Sequence, residues 1–539
     1  MLRRVKQFSD IHLLRIGAGF LGSLLVFPTK FYAHYEKTLH YRPRSSLQPQ
    51  PVREASEIVW PALRWLTIDE LRVTPLFEAE TWVVIRSRAD QWLVGGVEAL
   101  RDWQVSHPEA KVITFDEQRV DEESGAIEPG LKPQWNLDLF LSCGYVGHGV
   151  AIRGDVFTEC LAGISLNCFD SVDQLADALL LAVVADNSRD CLKWVTHCPA
   201  LALQVTTSSM DEAFRERWFI SRQQQLSKQL DGNSTPCTVE RGRLPLSWRV
   251  RWHLPEPSPL VSLCIPTRNG LSVLKPCLDA ILQRTKYPNF EVLIVDNQSD
   301  CSATLDYLAE LQKRDTRVRV LRYNAPFNFS AINNFAVAHA RGQVIGLINN
   351  DVEPRQPGWL DEMVAQAMRP DIGCVGAKLF YPDGSIQHAG VVLGIGGVAG
   401  HAFRFEPGSA EGYQGRLQLV QNYSAVTAAC LLVRKSVYLD AGGLDEHLAV
   451  NYNDVDFCLK VQALGYRNLW TPYAELIHHE SATRGGNQSR RQRRQAAKEF
   501  QLMRRRWGQL LDADPAYHPA LTRVHEDFSL ASEPERGLV

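Results

Sequence analysis

The chain has 539 residues, of which 45% are hydrophobic and 22% are charged, and its formal net charge is -3. A chain of this length exceeds what one hydrophobic core organises, so two or three globular domains are expected. The slightly acidic balance excludes the overall positive field of a typical nucleic-acid-binding protein, and we expect no nucleic-acid partner.

Residues 1–55 form an amino-terminal segment with basic residues ahead of an apolar stretch. The uninterrupted apolar part, residues 16–27, is too short to span a bilayer. We interpret the segment as an amphipathic helix and linker that lies on a membrane or docks on the protein. The twelve cysteines show no zinc-type spacing, which favours reduced thiols and a cytoplasmic location, with peripheral association with the inner membrane left open.

The proline-rich run LPEPSPL at residues 254–260 marks the main predicted domain boundary. Before it, WVVIRS and KVITF predict buried strands, and residues 173–185 predict a helix. We therefore predict a smaller α/β domain over residues 56–250, a larger domain over residues 259–507 and a carboxyl-terminal tail over residues 508–539.

From residue 259 onward, predicted strands and helices alternate four times. The strands are LVSLCIP, EVLIVDN, VRVLRY and QVIGLINND, and the helices fall around residues 273–284, 302–313 and 330–340. This alternation predicts a parallel sheet covered by helices, with ligand chemistry at the carboxyl ends of the strands. Those ends carry the polar sequences PTRN, DNQSD and NND.

Two strand ends offer side chains for a ligand. The carboxylate of Asp296 could accept hydrogen bonds from a base or a ribose, although this stretch could equally cap a helix. Asn349, Asn350 and Asp351 supply the oxygen ligands that Mg²⁺ or Mn²⁺ prefer, but the same residue types favour a simple turn before Pro354.

Two later segments carry further candidates. Asp454 and Asp456 open the predicted helix YNDVDFCLK, where a carboxylate acts as a general base or complements the helix dipole. His478 could ligate a divalent ion and Arg484 could hold a diphosphate, the alternative being a surface histidine pair.

The densest basic run lies between Arg490 and Arg506. It either rests on anionic lipid or is the solvated face of a helix.

Six motifs occur together in one order: PTRNG, EVLIVDNQSD, FNFSAINNFAVAHARG, LINNDVEP, NDVDFCLK and HHESATRG. This stretch resembles family 2 glycosyltransferases, particularly the bacterial O-antigen and surface-polysaccharide type. The resemblance implies an α/β GT-A fold with a mostly parallel central sheet, a nucleotide-diphosphate sugar donor, a divalent metal, Mn²⁺ or Mg²⁺, and inversion at the anomeric carbon. It also implies an oligosaccharide or lipid-linked glycan as the acceptor.

The resemblance assigns roles to particular positions. Asp351 and His478 would bind the metal, and Asp454 would be the base that deprotonates the acceptor hydroxyl. The nucleotide sugar would be bound by Pro266, Thr267, Arg268, Asp296, Asn333, Asn349, Asn350 and Arg484. The metal motif departs from the family pattern because it reads Asn-Asn-Asp and has one carboxylate.

The amino-terminal region resembles the latter half of the same kind of domain, through ITFDEQRVDEESG and the helix that starts near Asp173. In this comparison Asp116 and Glu117 take the metal-motif position. We interpret residues 60–210 as a degenerate GT-A-like unit that binds acceptor or acts as a scaffold.

Two other functions fit parts of the pattern. A noncatalytic nucleotide-sugar-binding scaffold would suit the incomplete metal motif. A sugar nucleotidyltransferase would need a glycine-rich, basic loop after the first strand, for which PTRNG is a poor substitute.

Overall fold

The structure is a computed structural model that describes residues 60, 62–72, 77–184, 194–207, 209–231, 235–479 and 489–531. The predicted amphipathic segment at residues 1–55 and the candidate Arg484 lie outside these residues. In the part of the chain described, no helix combines the length and the apolar character needed to cross a membrane.

Two large sheets organise the described chain. The first has seven strands in the order β1-β2-β6-β4-β7-β3, with β5 paired to β4. Its strands are β1 (Leu63–Leu66), β2 (Trp82–Ile85), β3 (Gln91–Trp92), β4 (Val112–Asp121), β5 (Ile127–Gly130), β6 (Val150–Arg153) and β7 (Val195–Thr207). A hairpin of β8 (Cys237–Arg241) and β9 (Trp248–Trp252) follows it.

The second sheet has ten strands in the order β12-β11-β10-β13-β20-β15-β21-β14, with β16 paired to β15 and β19 to β21. A separate hairpin consists of β17 (Val391–Leu393) and β18 (Ala399–His401). The strands of the sheet are β10 (Val261–Thr267), β11 (Phe290–Asp296), β12 (Val318–Arg322), β13 (Val344–Ile348), β14 (Val352–Pro354), β15 (Ile372–Phe380), β16 (Ile386–His388), β19 (Gln421–Asn422), β20 (Cys430–Arg434) and β21 (Arg467–His478).

The α-helices flank these sheets. Around the first sheet they are α1 (Ile68–Leu71), α2 (Gly96–Ser106), α3 (Leu137–Ser142), α4 (Gly154–Ala162), α5 (Val172–Val183) and α6 (Glu212–Leu230). Around the second they are α7 (Leu271–Arg284), α8 (Ser302–Arg314), α9 (Phe329–His339), α10 (Trp359–Ala367), α11 (Lys435–Asp440), α12 (Asn453–Ala463) and α13 (Arg490–Asp512).

The central strands are continuous apolar runs because both of their faces are buried. Leu293 and Val295 of β11 pack into one core, whereas Val292 and Ile294 pack into the core on the opposite face. The predicted parallel arrangement is found in β12-β11-β10-β13, and antiparallel pairs enter the sheet from β20 onward.

The first sheet repeats the topology of the second. In the order β1-β2-β6-β4-β7, neighbouring strands run parallel, antiparallel, antiparallel and parallel. The order β10-β13-β20-β15-β21 has the same sequence of directions. The edge strands agree as well, since β3 pairs with β7 as β14 pairs with β21. We infer that the chain contains two copies of one folding unit.

The copies differ between their first two equivalent strands. Residues 67–81 connect β1 to β2, whereas residues 268–343 connect β10 to β13 and contain β11, β12 and their helices. Fifteen residues are too few for two strands and their crossover helices. The first unit therefore lacks the part of the sheet that carries Asp296.

The repeat corrects the expectation for Asp116 and Glu117. Both lie on β4, the counterpart of β15. The predicted metal motif of the second unit instead follows β13, whose counterpart is β2. Asp90 directly precedes β3 as Asp351 directly precedes β14. Asp90 is therefore the topological equivalent of Asp351, and the assignment of Asp116 was wrong because a polar sequence after an apolar run does not reveal which strand it ends.

Asp116 instead anchors the carboxyl-terminal tail to the first sheet. Its buried carboxylate accepts hydrogen bonds from Lys132 N at 2.8 Å and from His518 Nε2 at 2.7 Å, and His197 Nε2 lies 3.3 Å away. Asp116 and the two histidines are grouped closely enough to hold a metal ion. Ala520 N donates to His518 Nδ1, however, so Nε2 carries the proton and donates to Asp116. This tautomer fits a hydrogen-bonded anchor better than a metal site.

A buried charged cluster joins the two units. Asp138 at the start of α3 pairs with Arg369 at 2.6 Å and also with Arg467 of β21. Asn136 Nδ2 donates to Asn422 O of β19 at 2.8 Å. These contacts fix the first unit against the second sheet.

In the first unit, Asp90, His148 and Asp173 form an ion-pair triad at the position that corresponds to Asp351 and Asp454 of the second unit. His148 Nδ1 lies 2.8 Å from Asp90 Oδ2, and Nε2 lies 3.3 Å from Asp173 Oδ2. Asp173 is the second residue of α5 as Asp454 is the second residue of α12. Burial alone would lower the pKa of His148, but the two carboxylates raise it to about 10.

We predict that the stabilising effect of His148 decreases with rising pH. Because its folded-state pKa is raised, its stabilisation is complete below about pH 6.5 and is lost as the pH rises through about 10. His148→Gln should lower the free energy of unfolding by on the order of 3 kcal/mol near pH 6. Denaturant unfolding of wild type and variant from pH 6 to pH 10 measures the free energy lost on substitution, and His253→Gln, at an exposed position, is the control. A loss that stays constant or grows with rising pH would contradict the prediction.

Candidate active site

Three predicted strand-end loops meet at one edge of the second sheet. Thr267 and Asp296 are partners in the register of β10 and β11, and Asn297 N donates to Thr267 O at 2.8 Å. Asn350 Nδ2 donates to Thr267 Oγ1 at 3.0 Å. The sequences PTRN, DNQSD and NND therefore come together, as expected for the carboxyl ends of neighbouring strands.

The PTRN loop turns sharply after β10. Asn269 has φ 53° and Gly270 has φ 65°, and the side-chain oxygen of Asn269 accepts hydrogen bonds from Asp300 N and Cys301 N. Pro266 is half-buried beside this turn and Arg268 is exposed. The turn leaves the Arg268 guanidinium in a position to meet an anionic ligand from solution.

Asp296 is fully buried and already compensated. Its Oδ1 accepts a hydrogen bond from Ser299 N at 3.0 Å, and its Oδ2 pairs with Arg322. Arg322 stands opposite Asp296 at the end of β12, and about half of its side chain is exposed. Sequence analysis missed Arg322, although its place as the last residue of the VRVLR strand was a usable signal.

The pairing of β14 with β21 brings Asp351 and His478 together. Val352 is the register partner of His478, and His479 N donates to Asp351 O at 2.9 Å. Asp351 Oδ1 then lies 3.1 Å from His478 Nε2, and both side chains are more than nine-tenths buried. The two residues predicted as metal ligands are thus neighbours, although 127 positions separate them in the chain.

Two side-chain amides contact the ring of His478. Asn349 Nδ2 lies 3.3 Å from Nε2, and Gln387 Nε2 lies 2.6 Å from Nδ1, so an amide nitrogen faces each ring nitrogen. Gln387 is a second residue that sequence analysis missed, since nothing near it in the chain marks it as a partner of His478.

This arrangement fits a divalent cation. His478 Nε2 and Asp351 Oδ1 lie 3.1 Å apart, and that buried oxygen has no hydrogen-bond partner within the described part of the chain. A buried carboxylate oxygen without a donor is costly, and a cation bound between it and the imidazole would offset that cost. Mn²⁺ suits a mixed carboxylate and imidazole pair, and Mg²⁺ suits the carboxylate.

Asp454 lies at the start of α12 with its carboxylate held from both sides. Oδ2 accepts from Ala428 N at 3.0 Å and Oδ1 accepts from Val455 N at 2.9 Å, while the residue stays half-buried. Asn349 N donates to Ala429 O at 3.0 Å. Asp454 and the Asn-Asn-Asp motif are therefore fixed to consecutive residues at the same edge of the sheet.

Asp456 has a different environment. It is fully buried, and its Oδ1 accepts from Arg506 at 2.6 Å and from Trp507 Nε1 at 2.9 Å. Its carboxylate ties α13 to α12, so Asp454 is the acid of this helix that is accessible to a substrate.

Asn333 and Arg484 are less informative. Asn333 is fully buried on α9, where its Nδ2 donates to Phe329 O at 2.9 Å, and its Oδ1 lacks a hydrogen bond from any residue described. Arg484 lies outside the described residues.

His388 is a further group near this edge that sequence analysis did not identify. It is fully buried on β16, next to Gln387, and its Nε2 lies 3.5 Å from Thr427 N. Burial, together with His401 and His478, holds its pKa well below the usual range. His388 is therefore neutral and available as a hydrogen-bonding group beside Thr427.

Comparisons with known proteins agree with this geometry. The chain is 44% identical over 440 residues to uncharacterized protein y4gI of Sinorhizobium fredii, covering 79% of this chain and 47% of that protein. It is 33% identical over 437 residues to the O-antigen biosynthesis protein RfbC of Myxococcus xanthus, covering 80% and 33%. The chain thus spans less than half the length of these relatives.

A shorter match, 28% identical over 137 residues, is to the N-acetylglucosaminyl-diphospho-decaprenol L-rhamnosyltransferase of Mycobacterium tuberculosis, covering 24% of this chain and 45% of that protein. Residues 262–438 match the family described as Glycosyl transferase family 2. The predicted GT-A fold class is confirmed, and the chain carries a domain of the family 2 glycosyltransferases.

Proposed function

We propose that this protein transfers a glycosyl group from a nucleotide-diphosphate sugar to a hydroxyl of a glycan acceptor, with inversion at the anomeric carbon. The observation that carries the proposal is the facing pair of Asp351 and His478 at the same sheet edge as the accessible carboxylate of Asp454. A cation site and a base at one edge are what a single displacement requires.

In this mechanism Asp351 and His478 would hold the divalent ion, Mn²⁺ or Mg²⁺, and Gln387 would orient the imidazole. The bound ion would offset the charge that develops on the departing diphosphate. Asp454 accepts the proton of the acceptor hydroxyl while the hydroxyl oxygen forms a bond to the anomeric carbon of the donor sugar. At the same time the bond between that carbon and the diphosphate breaks. The hydrogen bonds from Ala428 N and Val455 N hold this carboxylate in place.

The donor nucleotide would lie over the first strand ends. Pro266 and Thr267 line the end of β10, Asp296 with Arg322 offers polar contacts to the nucleoside, and Arg268 meets a phosphate. The family resemblance extends these donor contacts to Asn333, Asn349, Asn350 and Arg484.

The acceptor is proposed to be a lipid-linked or free surface oligosaccharide, reached from the cytoplasmic face of the inner membrane. The printed names of two relatives support this class of acceptor, one in O-antigen biosynthesis and one acting on a diphospho-decaprenol. A nucleotide-sugar-binding scaffold without turnover remains the second candidate, because the metal motif has a single carboxylate.

We also propose that the chain has one transferase site and not two. In the first unit, protonated His148 fills the space between Asp90 and Asp173, and the short connection at residues 67–81 leaves no room for the strands that hold the nucleotide. The first unit then acts as a scaffold or contacts the acceptor.

Asp454→Asn is predicted to lower kcat by about 10²–10⁴-fold, because it removes the proton acceptor. Its thermal midpoint should fall only slightly, because the amide oxygen can still accept one of the two hydrogen bonds from Ala428 N and Val455 N. Asp456→Asn is the matched control, expected to lower the thermal midpoint because Arg506 and Trp507 lose their acceptor. Transfer assays with UDP-, GDP- and dTDP-sugars measure kcat of both variants, and differential scanning calorimetry measures their thermal midpoints. A larger kcat loss in Asp456→Asn at unchanged stability would reverse the assignment.

His478→Gln is predicted to weaken Mn²⁺ binding by at least about tenfold, because it removes an imidazole ligand from the pair with Asp351. His479→Gln is the matched control, since that ring pairs with Glu353 at 2.9 Å. Titration of Mn²⁺ followed by electron paramagnetic resonance gives both affinities. Equal weakening in the two variants would argue against the site.

Asp90→Asn and Asp173→Asn are predicted to leave turnover unchanged, because neither carboxylate contacts the substrates of the proposed site. Calorimetric titration should find one nucleotide sugar bound per chain. A second bound donor, or loss of turnover in either variant at unchanged thermal midpoint, would show that the first unit is active.

A further inference from the structure

Helix α13 concentrates positive charge on one element of an otherwise acidic chain. Its sequence, RRQRRQAAKEFQLMRRRWGQLLD, has eight arginine or lysine residues and two acidic residues, Glu499 and Asp512. The whole chain has a formal net charge of -3, so the rest of the molecule is more acidic than that. The segregation of charge predicts a local electrostatic role for this helix.

Two of the eight cations have structural partners. Arg504 pairs with Asp512 at 2.7 Å, and Arg506 pairs with Asp456 and Asp445. The remaining six are exposed and form no ion pair with the residues that the structure describes; they are Arg490, Arg491, Arg493, Arg494, Lys498 and Arg505.

An ordinary solvated helix face is arranged differently. Such faces alternate acidic and basic residues, which pair one turn apart. In α13 the like charges Arg490 and Arg494 are four residues apart, as are Arg494 and Lys498, and the first turn places arginines at the positive end of the helix dipole. The capping box of Ser489 and Gln492 offsets part of this repulsion. The helix is therefore arranged to gain stability from an external anion.

Four of the six free cations form a stripe. Arg491, Arg494, Lys498 and Arg505 follow one another at spacings of three, four and seven residues, which keeps them on one face of an α-helix. At a rise of about 1.5 Å per residue the stripe is about 21 Å long. This length suits an extended anionic surface and exceeds a single phosphate group.

The buried face of α13 packs beside the start of α12. The buried carboxylate of Glu499 accepts hydrogen bonds from Val450 N and Asn451 N, both at 3.1 Å, just before the helix that carries Asp454. Met503 is fully buried. Helix α13 is consequently attached to the region that positions α12, while the cationic stripe stays exposed.

We infer that the cationic stripe of α13 docks this protein on a membrane surface rich in anionic lipid. Charge complementarity supports this occupant, because six uncompensated cations on one rigid helix match a continuous negative surface. Docking here would bring α12, the helix that carries Asp454, near the lipid surface, where a lipid-linked acceptor would be found. That role rests on the proposed function, whereas the lipid binding itself does not.

The test is binding of the full chain to vesicles, without donor or acceptor, so that its result is independent of transferase activity. Vesicles of phosphatidylcholine alone are compared with vesicles that also contain phosphatidylglycerol, at low and at high salt. The wild type should bind only the vesicles that contain phosphatidylglycerol, and high salt should release it from them.

Neutralising the stripe should lower the partition coefficient about 100-fold at low salt. The variant carries Arg491→Gln, Arg494→Gln and Lys498→Gln, and its thermal midpoint should not fall, because like-charge repulsion is relieved. A matched control removes three exposed positive charges from α6; it carries Arg215→Gln, Arg217→Gln and Lys228→Gln, and it should bind vesicles as the wild type does.

Four results would overturn the inference. The first is equal binding to neutral and anionic vesicles, and the second is undiminished binding of the α13 variant. The third is preferential capture of the wild type by duplex DNA over anionic vesicles, which would reassign the stripe to nucleic acid. Loss of binding in both triple variants alike would show a general effect of net charge and would also reject a role specific to α13.

Discussion

The architecture of this protein depends on how it compensates carboxylates that folding removes from water. A buried carboxylate is costly unless donors or cations surround it. Asp138 is compensated by Arg369 and Arg467, and this cluster joins the two units. Asp456 is compensated by Arg506, which attaches α13 to the helix of the proposed base. The contacts that neutralise these buried acids therefore also join the two units and attach α13 to α12.

The proposed metal site stands out against this background. Asp351 is also buried, but its Oδ1 accepts no hydrogen bond from any described residue, and His478 Nε2 lies 3.1 Å away. The duplicated unit shows the alternative solution, because at the equivalent position Asp90 meets His148, whose raised pKa keeps it protonated. One fold thus pairs this acid with a protonated histidine in its first copy and with His478 in its second, where we propose that a divalent cation binds.

The sequence predicted the strand ends well because continuous apolar runs followed by polar residues depend on local composition. The proximity of PTRN, DNQSD and NND could be predicted from the alternation of strands and helices alone. The neighbours of His478 could not be predicted in this way, since its contact with Asp351 depends on the register of β14 with β21 and its contact with Gln387 depends on a third strand. Asp116 was misplaced for the same reason, because strand order decides which polar end belongs to the site.

The family match ends at residue 438, before Asp454 and His478. These two residues belong to the site because β20 and β21 return antiparallel and parallel to the earlier strands and close the same edge of the sheet. Ala428 and Ala429, directly before β20, hold Asp454 and Asn349 respectively, so this segment is the physical link between the proposed base and the proposed metal motif. Helix α13 then secures α12 through Glu499 and Arg506. The proposed active site therefore depends on elements beyond the matched region, up to and including α13.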